Sequence, residues 1–290
     1  MVSQTCFQLY CHEAREGTKA VFNLFGKDRK RGKVEGSGAG KTISEGAERP
    51  GKTPFIGVAG SADRSKGKTG DEVDGTSPSK NTRELETEKG PILVENHCPA
   101  EKLERMEVDD GICMFSRHDP SRQLKALVSV SKDDGGNVVV GVHDGKLVSF
   151  VGIHYPAERE RWGKPGYPWL LELGAIEVSR NYRKLGLAEA MLGVAFDDPY
   201  YDDKILLTTG FTWHWDLEGT GMDKMQYRSL GISMFGHYGF MEMATDEPNV
   251  TMDSANLFLV RIGEDASFSR YQRFASLLFA NKWEAVLRGF

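Results

Sequence analysis

Several features that define common protein classes are missing from this 290-residue chain. It has four cysteines and no CxxC pair, which argues against a zinc site or a disulfide framework. No run reaches the roughly 18 apolar residues that a membrane-spanning helix requires. The first residues lack a basic segment followed by an apolar core, so no signal peptide is predicted. We therefore expect a soluble cytoplasmic protein with neither a metal nor a membrane partner.

An excess of positive charge is also missing. The formal net charge is -5, whereas a nucleic-acid-binding protein is usually basic, so no nucleic-acid partner is expected. Hydrophobic residues make up 39% of the chain, enough for one sizeable core with additional material.

The additional material is predicted in the N-terminal third. Residues 26–88 are rich in Gly, Ser, Thr, Lys and Glu, and Phe55 is their only aromatic residue. Such a composition buries too little apolar surface to offset the entropy of ordering the chain. We predict that residues 1–89 form a disordered tail and that residues 90–290 form a single folded domain.

Apolar patterning within residues 90–290 predicts a mixed α/β domain. Two β-rich runs, residues 137–142 and 146–153, flank an Asp-Gly pair that is typical of a hairpin. Further strands are predicted at residues 170–178, 204–209, 240–244 and 256–262, with a last helix from residue 267 to about 288. This order predicts a central mixed sheet of about six to seven strands with helices on both faces.

Residues 170–196 form the most informative stretch of the sequence. A continuous apolar run, residues 170–178, predicts a buried strand. After a polar turn, Gly186 precedes a helical pattern in which Leu187, Met191 and Val194 share a face. The first N–H groups of such a helix have no partner within it and lie at the positive end of its dipole, where they can bind a phosphate group.

Three residues of this turn, Arg183, Gly186 and Ala188, resemble the acyl-CoA-binding motif Arg/Gln-x-x-Gly-x-Gly/Ala of the GNAT N-acetyltransferases. The resemblance implies the GNAT fold and acetyl-CoA as co-substrate, without a metal. It also implies which positions contact the co-substrate, namely Ile176, Glu177, Val178, Arg183, Lys184, Leu185, Gly186, Leu187, Ala188 and Glu189.

A narrower resemblance extends across residues 91–262. The blocks that carry it are 172–178, Thr208-Thr209, Trp213-His214-Trp215-Asp216-Leu217, 244–248 and Arg261-Ile262-Gly263. They are similar to the acetoin-utilisation acetyltransferases, the AcuA family. Membership would imply a lysine acetyltransferase that modifies AMP-forming acetyl-CoA synthetase and so reduces acetate activation.

Two carboxylates on the central strand are candidates for the catalytic base. Glu172 has the spacing from Arg183 of the glutamate base in several protein-acetylating GNATs, and Glu177 is the alternative. In a regular strand, Glu172 and Ile176 lie on one face and Glu177 lies on the opposite face. A β-bulge between them would change this arrangement. Glu172 could instead be a structural residue that pairs with an arginine such as Arg161.

The remaining site predictions concern the proton donor and the acceptor. Many GNATs have a tyrosine where this chain has Phe235, so Tyr238 is the substitute candidate for the thiolate's proton donor. We predict that Trp213, His214 and Trp215 line the acceptor-lysine channel, although an aromatic structural cluster is the alternative. Asp246 and Glu247 are candidates to attract a cationic acceptor, or else they form a solvated turn.

The sequence leaves three functional interpretations open. The first is a protein lysine acetyltransferase, and the second is a GNAT that acetylates a small-molecule amine. The third is a CoA-binding protein that regulates the synthetase by forming a complex with it, which the phenylalanine at position 235 favours. The oligomeric state does not follow from the sequence.

Overall fold

The computed structural model describes residues 77–112 and 120–280, together with the backbone of residues 6 and 7. These residues belong to one compact unit. The rest of the predicted tail and the last ten residues lie outside the described part of the chain.

Ten strands of the described residues form one mixed sheet. Eight of them follow the order β2-β3-β5-β6-β7-β8-β10-β9, while β1 pairs with β7 and β4 pairs with β6. The mixed α/β class is confirmed, and the sheet has more strands than the six to seven predicted. The strands are β1 Cys6–Phe7, β2 Thr82–Thr87, β3 Gly90–Glu95, β4 Glu107–Val108, β5 Asn137–His143, β6 Lys146–His154, β7 Leu170–Val178, β8 Ile205–Gly210, β9 Phe240–Glu242 and β10 Leu257–Ile262.

Helices cover both faces of this sheet. One face carries α3 and α5, and the other carries α2 and α7. The helices are α1 Ala100–Leu103, α2 Pro120–Lys132, α3 Leu187–Phe196, α4 Leu217–Thr220, α5 Lys224–Gly236, α6 Pro248–Thr251 and α7 Phe268–Ala275.

The predicted hairpin is present between β5 and β6, which pair antiparallel. Asp144 and Gly145 both have positive φ angles, +48° and +79°, as a two-residue hairpin turn with the twist of the flanking strands requires. On the other side of β6, β7 pairs antiparallel with it, and β7 pairs parallel with β8 over three residue pairs.

The sheet begins inside the segment that was predicted to be tail. Strand β2 pairs antiparallel with β3 along its whole length, and Leu85 packs against the main core. This edge strand has the sequence TRELET and its other side chains are mostly exposed, so its polar composition resembles that of the tail. The folded region therefore starts about ten residues before the predicted boundary at residue 90.

The last helix is shorter than the sequence indicated. It ends at Ala275, whereas the prediction continued it to about residue 288. The carbonyl oxygen of Leu278 accepts hydrogen bonds from the Thr245 hydroxyl at 2.6 Å and from Arg161 Nη1 at 3.1 Å. These tertiary hydrogen bonds hold the chain in a turn that a helical pattern in the sequence does not reveal.

The apolar core differs between the two faces of the sheet. The α3 face is covered by one continuous cluster that includes Leu173, Ile176, Leu187 and Met191. The opposite face is covered by two separate clusters, one beneath α1 and α2 and one beneath α7 and the loop after β6.

A chain that begins at Ser77 is expected to fold with the same cooperative thermal transition as the full chain, because it keeps every sheet strand except β1. A chain that begins at Lys89 should melt at a lower temperature, since it loses β2 and the Leu85 contact with the core. Circular-dichroism melting curves of the two chains measure this difference. Equal stability of both shortened chains would contradict the earlier start of the domain.

Candidate active site

One extra residue in β7 decides which side chains lie on the face of the sheet opposite α3. The pairing with β6 runs from Gly152–Ala175 directly to Ile153–Leu173, so Gly174 forms a β-bulge. Leu173 and Ile176 therefore both belong to the cluster beneath α3. The regular alternation predicted for an unbulged strand is wrong, because the residues after Gly174 lie on the opposite faces from those that alternation gives them.

As a consequence, Glu172 and Glu177 lie on the same face of the sheet, opposite α3. Their cross-strand neighbours on β6 are His154 and Phe150, and Phe150 packs in the cluster beneath α2. Both carboxylates are 1% exposed. The two predicted base candidates are thus brought to one side of the sheet.

Between the two carboxylates, the sheet surface is lined by small residues. Ala175 is the only residue of β7 that is more than slightly exposed. A Cβ atom added to its neighbour Gly152 would meet no atom within 4 Å. We call this space over Gly152 and Ala175 the slot. Glu172 and Glu177 flank it along β7.

Strand β7 also separates from β8 near the slot. Their parallel pairing ends at Glu172 and Leu207, and the Thr208 hydroxyl donates to the Leu173 carbonyl at 2.8 Å just beyond it. On this side, Ala175 and Ile176 instead pair with the backbone of β1. The edge of β7 next to the slot therefore accepts a partner other than β8.

The turn after β7 prepares the start of α3 for an anion. Lys184 and Gly186 have φ angles of +67° and +74°, and Gly186 is the N-cap residue of α3. A Cβ on Gly186 would meet nothing within 4 Å, so the space in front of the first N–H groups of the helix is open. These features fit a pyrophosphate group bound by backbone N–H groups at the helix N-terminus.

A buried carboxylate, Asp216, holds this turn in place. Arg180 donates to it through Nε at 2.8 Å and Nη2 at 2.6 Å, and Arg183 donates through Nη2 at 2.6 Å. Asp216 also accepts the Gly219 amide at 3.0 Å and so caps α4. The motif arginine, Arg183, therefore acts on the conformation of the turn, and its side chain is 5% exposed.

The charge state of Asp216 follows from these contacts. Burial acts to raise its pKa, but the hydrogen bonds from Arg180, Arg183 and the Gly219 amide outweigh burial and hold the pKa below its usual value. Asp216 is therefore ionised at neutral pH and balances part of the charge of the two guanidinium groups.

Two acetoin utilization proteins resemble this chain over about two thirds of its length. It is 35% identical over 202 residues to the acetoin utilization protein AcuA of Bacillus licheniformis, which covers 69% of this chain and 95% of that protein. It is 31% identical over 199 residues to AcuA of Bacillus subtilis, covering 69% and 94%. The chain belongs to the AcuA family of GNAT acetyltransferases. No protein-family model matches it.

A solved structure supports the same assignment. The acetoin utilization protein from Exiguobacterium sibiricum has a TM-score of 0.69 with this chain at 29% sequence identity. The similarity covers 73% of this chain and 99% of that one. The predicted family resemblance and the GNAT fold are confirmed.

The predicted proton-donor region of this AcuA family member is mostly core. Phe235 is fully buried and packs edge-to-face on Phe240 at 5.3 Å. The Tyr238 hydroxyl donates to the Glu189 carbonyl on α3 at 2.7 Å, so it is not brought to the slot. Burial, followed by the charges of Glu189 and Asp197, raises the pKa of Tyr238.

The three residues predicted for the acceptor channel have different surroundings. Trp213 is 47% exposed and stacks on Phe211 at 4.6 Å, while His214 lies half-buried at its edge. Trp215 is buried and stacks on Tyr227 at 4.8 Å. Trp213 lies within the 3-10 turn Thr212–His214, and Trp215 is the residue directly after it. Only Trp213 presents a broad open aromatic surface.

The predicted acidic pair has a basic partner. Arg161 forms ion pairs with Asp246 and with Glu247, the second at 3.2 Å, and the Ala280 amide donates to Asp246 at 2.8 Å. These contacts fasten the loop after β6 to the residues after α7. Asp246 and Glu247 are thus ion-paired with Arg161, whereas the alternative prediction was a solvated turn.

Three residues of the candidate site were not selected from the sequence, namely Asp216, Gly152 and His154. Asp216 stands within the Trp-His-Trp-Asp block, and a buried acid after two tryptophans could have indicated a partner for the nearby arginines. The other two depend on the register of β6 against β7, which the sequence does not specify. Among the described residues, no helix is long and apolar enough to cross a membrane, and no cluster of His, Cys, Asp and Glu could hold a metal.

Gly186→Glu is expected to weaken acetyl-CoA binding by at least tenfold, because it places a negative charge in the open space before α3. Gly186→Ala is the matched control, since it imposes the same backbone strain at a positive φ without the charge. Isothermal titration calorimetry compares the two variants. Equal affinities for both variants would contradict the anion site at this helix terminus.

Asp216→Asn should lower the free energy of unfolding by about 3 kcal/mol and weaken acetyl-CoA binding, because it leaves two arginines without their shared carboxylate. Glu218→Gln removes one negative charge from an exposed site in the same helix and is the control. Urea denaturation and calorimetry measure both effects. If both variants behave alike, Asp216 does not hold the turn.

Proposed function

We propose that this protein is an acetyl-CoA-dependent lysine N-acetyltransferase whose substrate is AMP-forming acetyl-CoA synthetase. The observation that carries the proposal is the separation of β7 from β8 beside the slot. The gap between the two strands lies between an anion site at the start of α3 and a face of the sheet that bears two buried carboxylates.

The donor side rests on backbone geometry. The pyrophosphate of acetyl-CoA would be held by N–H groups at the start of α3, with Lys184 exposed in the same turn. The pantetheine arm has amide groups, and the edge of Ala175 and Ile176 can pair with them as it pairs with β1 in this structure. A backbone N–H of Ile176 to Val178 would then donate to the thioester oxygen as negative charge develops on it.

The acceptor side must remove a proton from a lysine ammonium group. Glu172 and Glu177 lie on the face of the slot, and an ionised carboxylate at either position would attract a lysine ammonium group. Tyr155 and Trp213 are 37% and 47% exposed, and aromatic side chains of this kind suit the aliphatic stem of a lysine.

The synthetase as substrate is inferred from the family. The relatives are acetoin utilization proteins, and the resemblance to their family implies AMP-forming acetyl-CoA synthetase as the acceptor protein. An amine of a small metabolite is the alternative acceptor within the same chemistry.

A second candidate function is control of the synthetase by complex formation without acetyl transfer. Phe235 favours it, because a buried phenylalanine cannot donate a proton to the departing thiolate. An enzyme of this architecture must instead pass that proton to the thiolate from the amine or from water.

Acetylation of the synthetase tests the proposal directly. The protein, acetyl-CoA and purified acetyl-CoA synthetase are incubated together, and acetyl-lysine is mapped by mass spectrometry. One dominant modified lysine and a parallel loss of synthetase activity are expected. Loss of synthetase activity at equimolar protein without acetyl-lysine would instead support the complex-forming regulator.

Glu172→Gln should lower the acetylation rate by about 10²–10⁴-fold at neutral pH and leave acetyl-CoA affinity nearly unchanged, since the anion site lies at another element. The rate should recover partly at higher pH, because the lysine then loses its proton to solvent. Thr208→Val is the control, since it removes a neighbouring hydroxyl that makes a structural hydrogen bond. It should lower the stability of the fold more than the acetylation rate. A Glu172→Gln variant with near-full rate at pH 7 would exclude Glu172 from proton transfer.

A further inference from the structure

One imidazole group lies beside the slot and has no part in the function described so far. His154 is the last residue of β6 and the cross-strand neighbour of Glu172. Its side chain is half-buried, so it is accessible from the open side of the sheet.

The hydrogen bond of this ring fixes its tautomer. Nδ1 of His154 lies 2.7 Å from the carbonyl oxygen of Tyr155. A carbonyl oxygen only accepts hydrogen bonds, so Nδ1 carries the hydrogen atom and the neutral ring has its lone pair on Nε2. The ring is thus held with its basic nitrogen pointing away from the Tyr155 carbonyl.

The position of Nε2 follows from the bulge. If Gly174 had a Cβ atom, its nearest neighbour would be Nε2 of His154, at 2.3 Å. The imidazole ring therefore lies against β7 at the bulged glycine. The next residue along β7 is Ala175, which forms the floor of the slot with Gly152. Nε2 therefore lies at the end of the slot where Glu172 is its neighbour.

We propose that His154 is the catalytic base of the acetyl transfer, with Nε2 as the atom that accepts the proton. This inference rests on the proposed acetyltransferase function and assigns the proton transfer within it. Glu172, on the neighbouring strand at a typical Cβ spacing of about 5 Å, stabilises the imidazolium that forms.

The proposed step is balanced as follows. The lysine ammonium transfers one proton to Nε2, and the neutral amine nitrogen forms a bond to the thioester carbon. The carbon–sulfur bond then breaks, and the second proton on nitrogen passes to the departing thiolate, which gives the amide and CoA thiol. The imidazolium releases its proton to solvent, so one proton is released per acetyl group transferred.

Variants of His154 test this assignment with the synthetase as acceptor. His154→Ala and His154→Gln are expected to lower kcat by about 10²–10⁴-fold and to leave acetyl-CoA affinity unchanged. Added imidazole should restore part of the rate to His154→Ala and none to Glu172→Gln, which still has its own imidazole. Gly174→Ala should lower kcat as well, because its methyl group displaces the ring.

His237→Gln is the matched control. Its Nδ1 also lies 2.7 Å from a backbone carbonyl, that of Ser233, but it follows α5 and is exposed. Its kcat should equal that of the unaltered protein.

Three results would overturn the proposal. Near-full activity of His154→Gln would remove the base role and return it to Glu172. A slow His154→Ala variant that melts earlier and shows no rescue by imidazole would indicate a structural role. An unaltered protein that transfers no acetyl group to the synthetase would contradict the proposed function, and the role of His154 with it.

Discussion

The path of β7 between its two neighbours is the constraint on which the rest of the site depends. On one side the bulge at Gly174 keeps the antiparallel pairing with β6 and turns Glu172 and Glu177 to the same face. On the other side the pairing with β8 ends at Glu172, and the strand edge beyond it is open to another partner. One strand thus provides a backbone edge for a donor and a polar face for an acceptor.

The anion site depends on a second, electrostatic constraint. The turn between β7 and α3 contains two arginines, whose positive charges would repel each other without a nearby carboxylate. Asp216 provides this carboxylate, which holds both guanidinium groups and caps α4. Through Asp216 the segment that bears Trp213 is connected by hydrogen bonds to the turn before α3.

Most of the fold was predictable because it follows local rules. The Asp-Gly turn, the apolar run of β7 and the glycine before α3 each determine their own conformation. The charged edge strand β2 and the end of α7 were not predictable, because tertiary hydrogen bonds and strand pairing define them. The same distinction applies to the site. The anion-binding turn is local, whereas His154 and Gly152 reach the slot only through a bulged register.

A crystal structure of the protein with acetyl-CoA tests the central claim most directly. We predict that the pyrophosphate lies at the N-terminus of α3 and that the pantetheine arm pairs with Ala175 and Ile176 in place of β1. The thioester should then lie at the slot, within reach of His154 and Glu172. Acetyl-CoA bound at another surface, with β1 still paired to β7, would contradict this account.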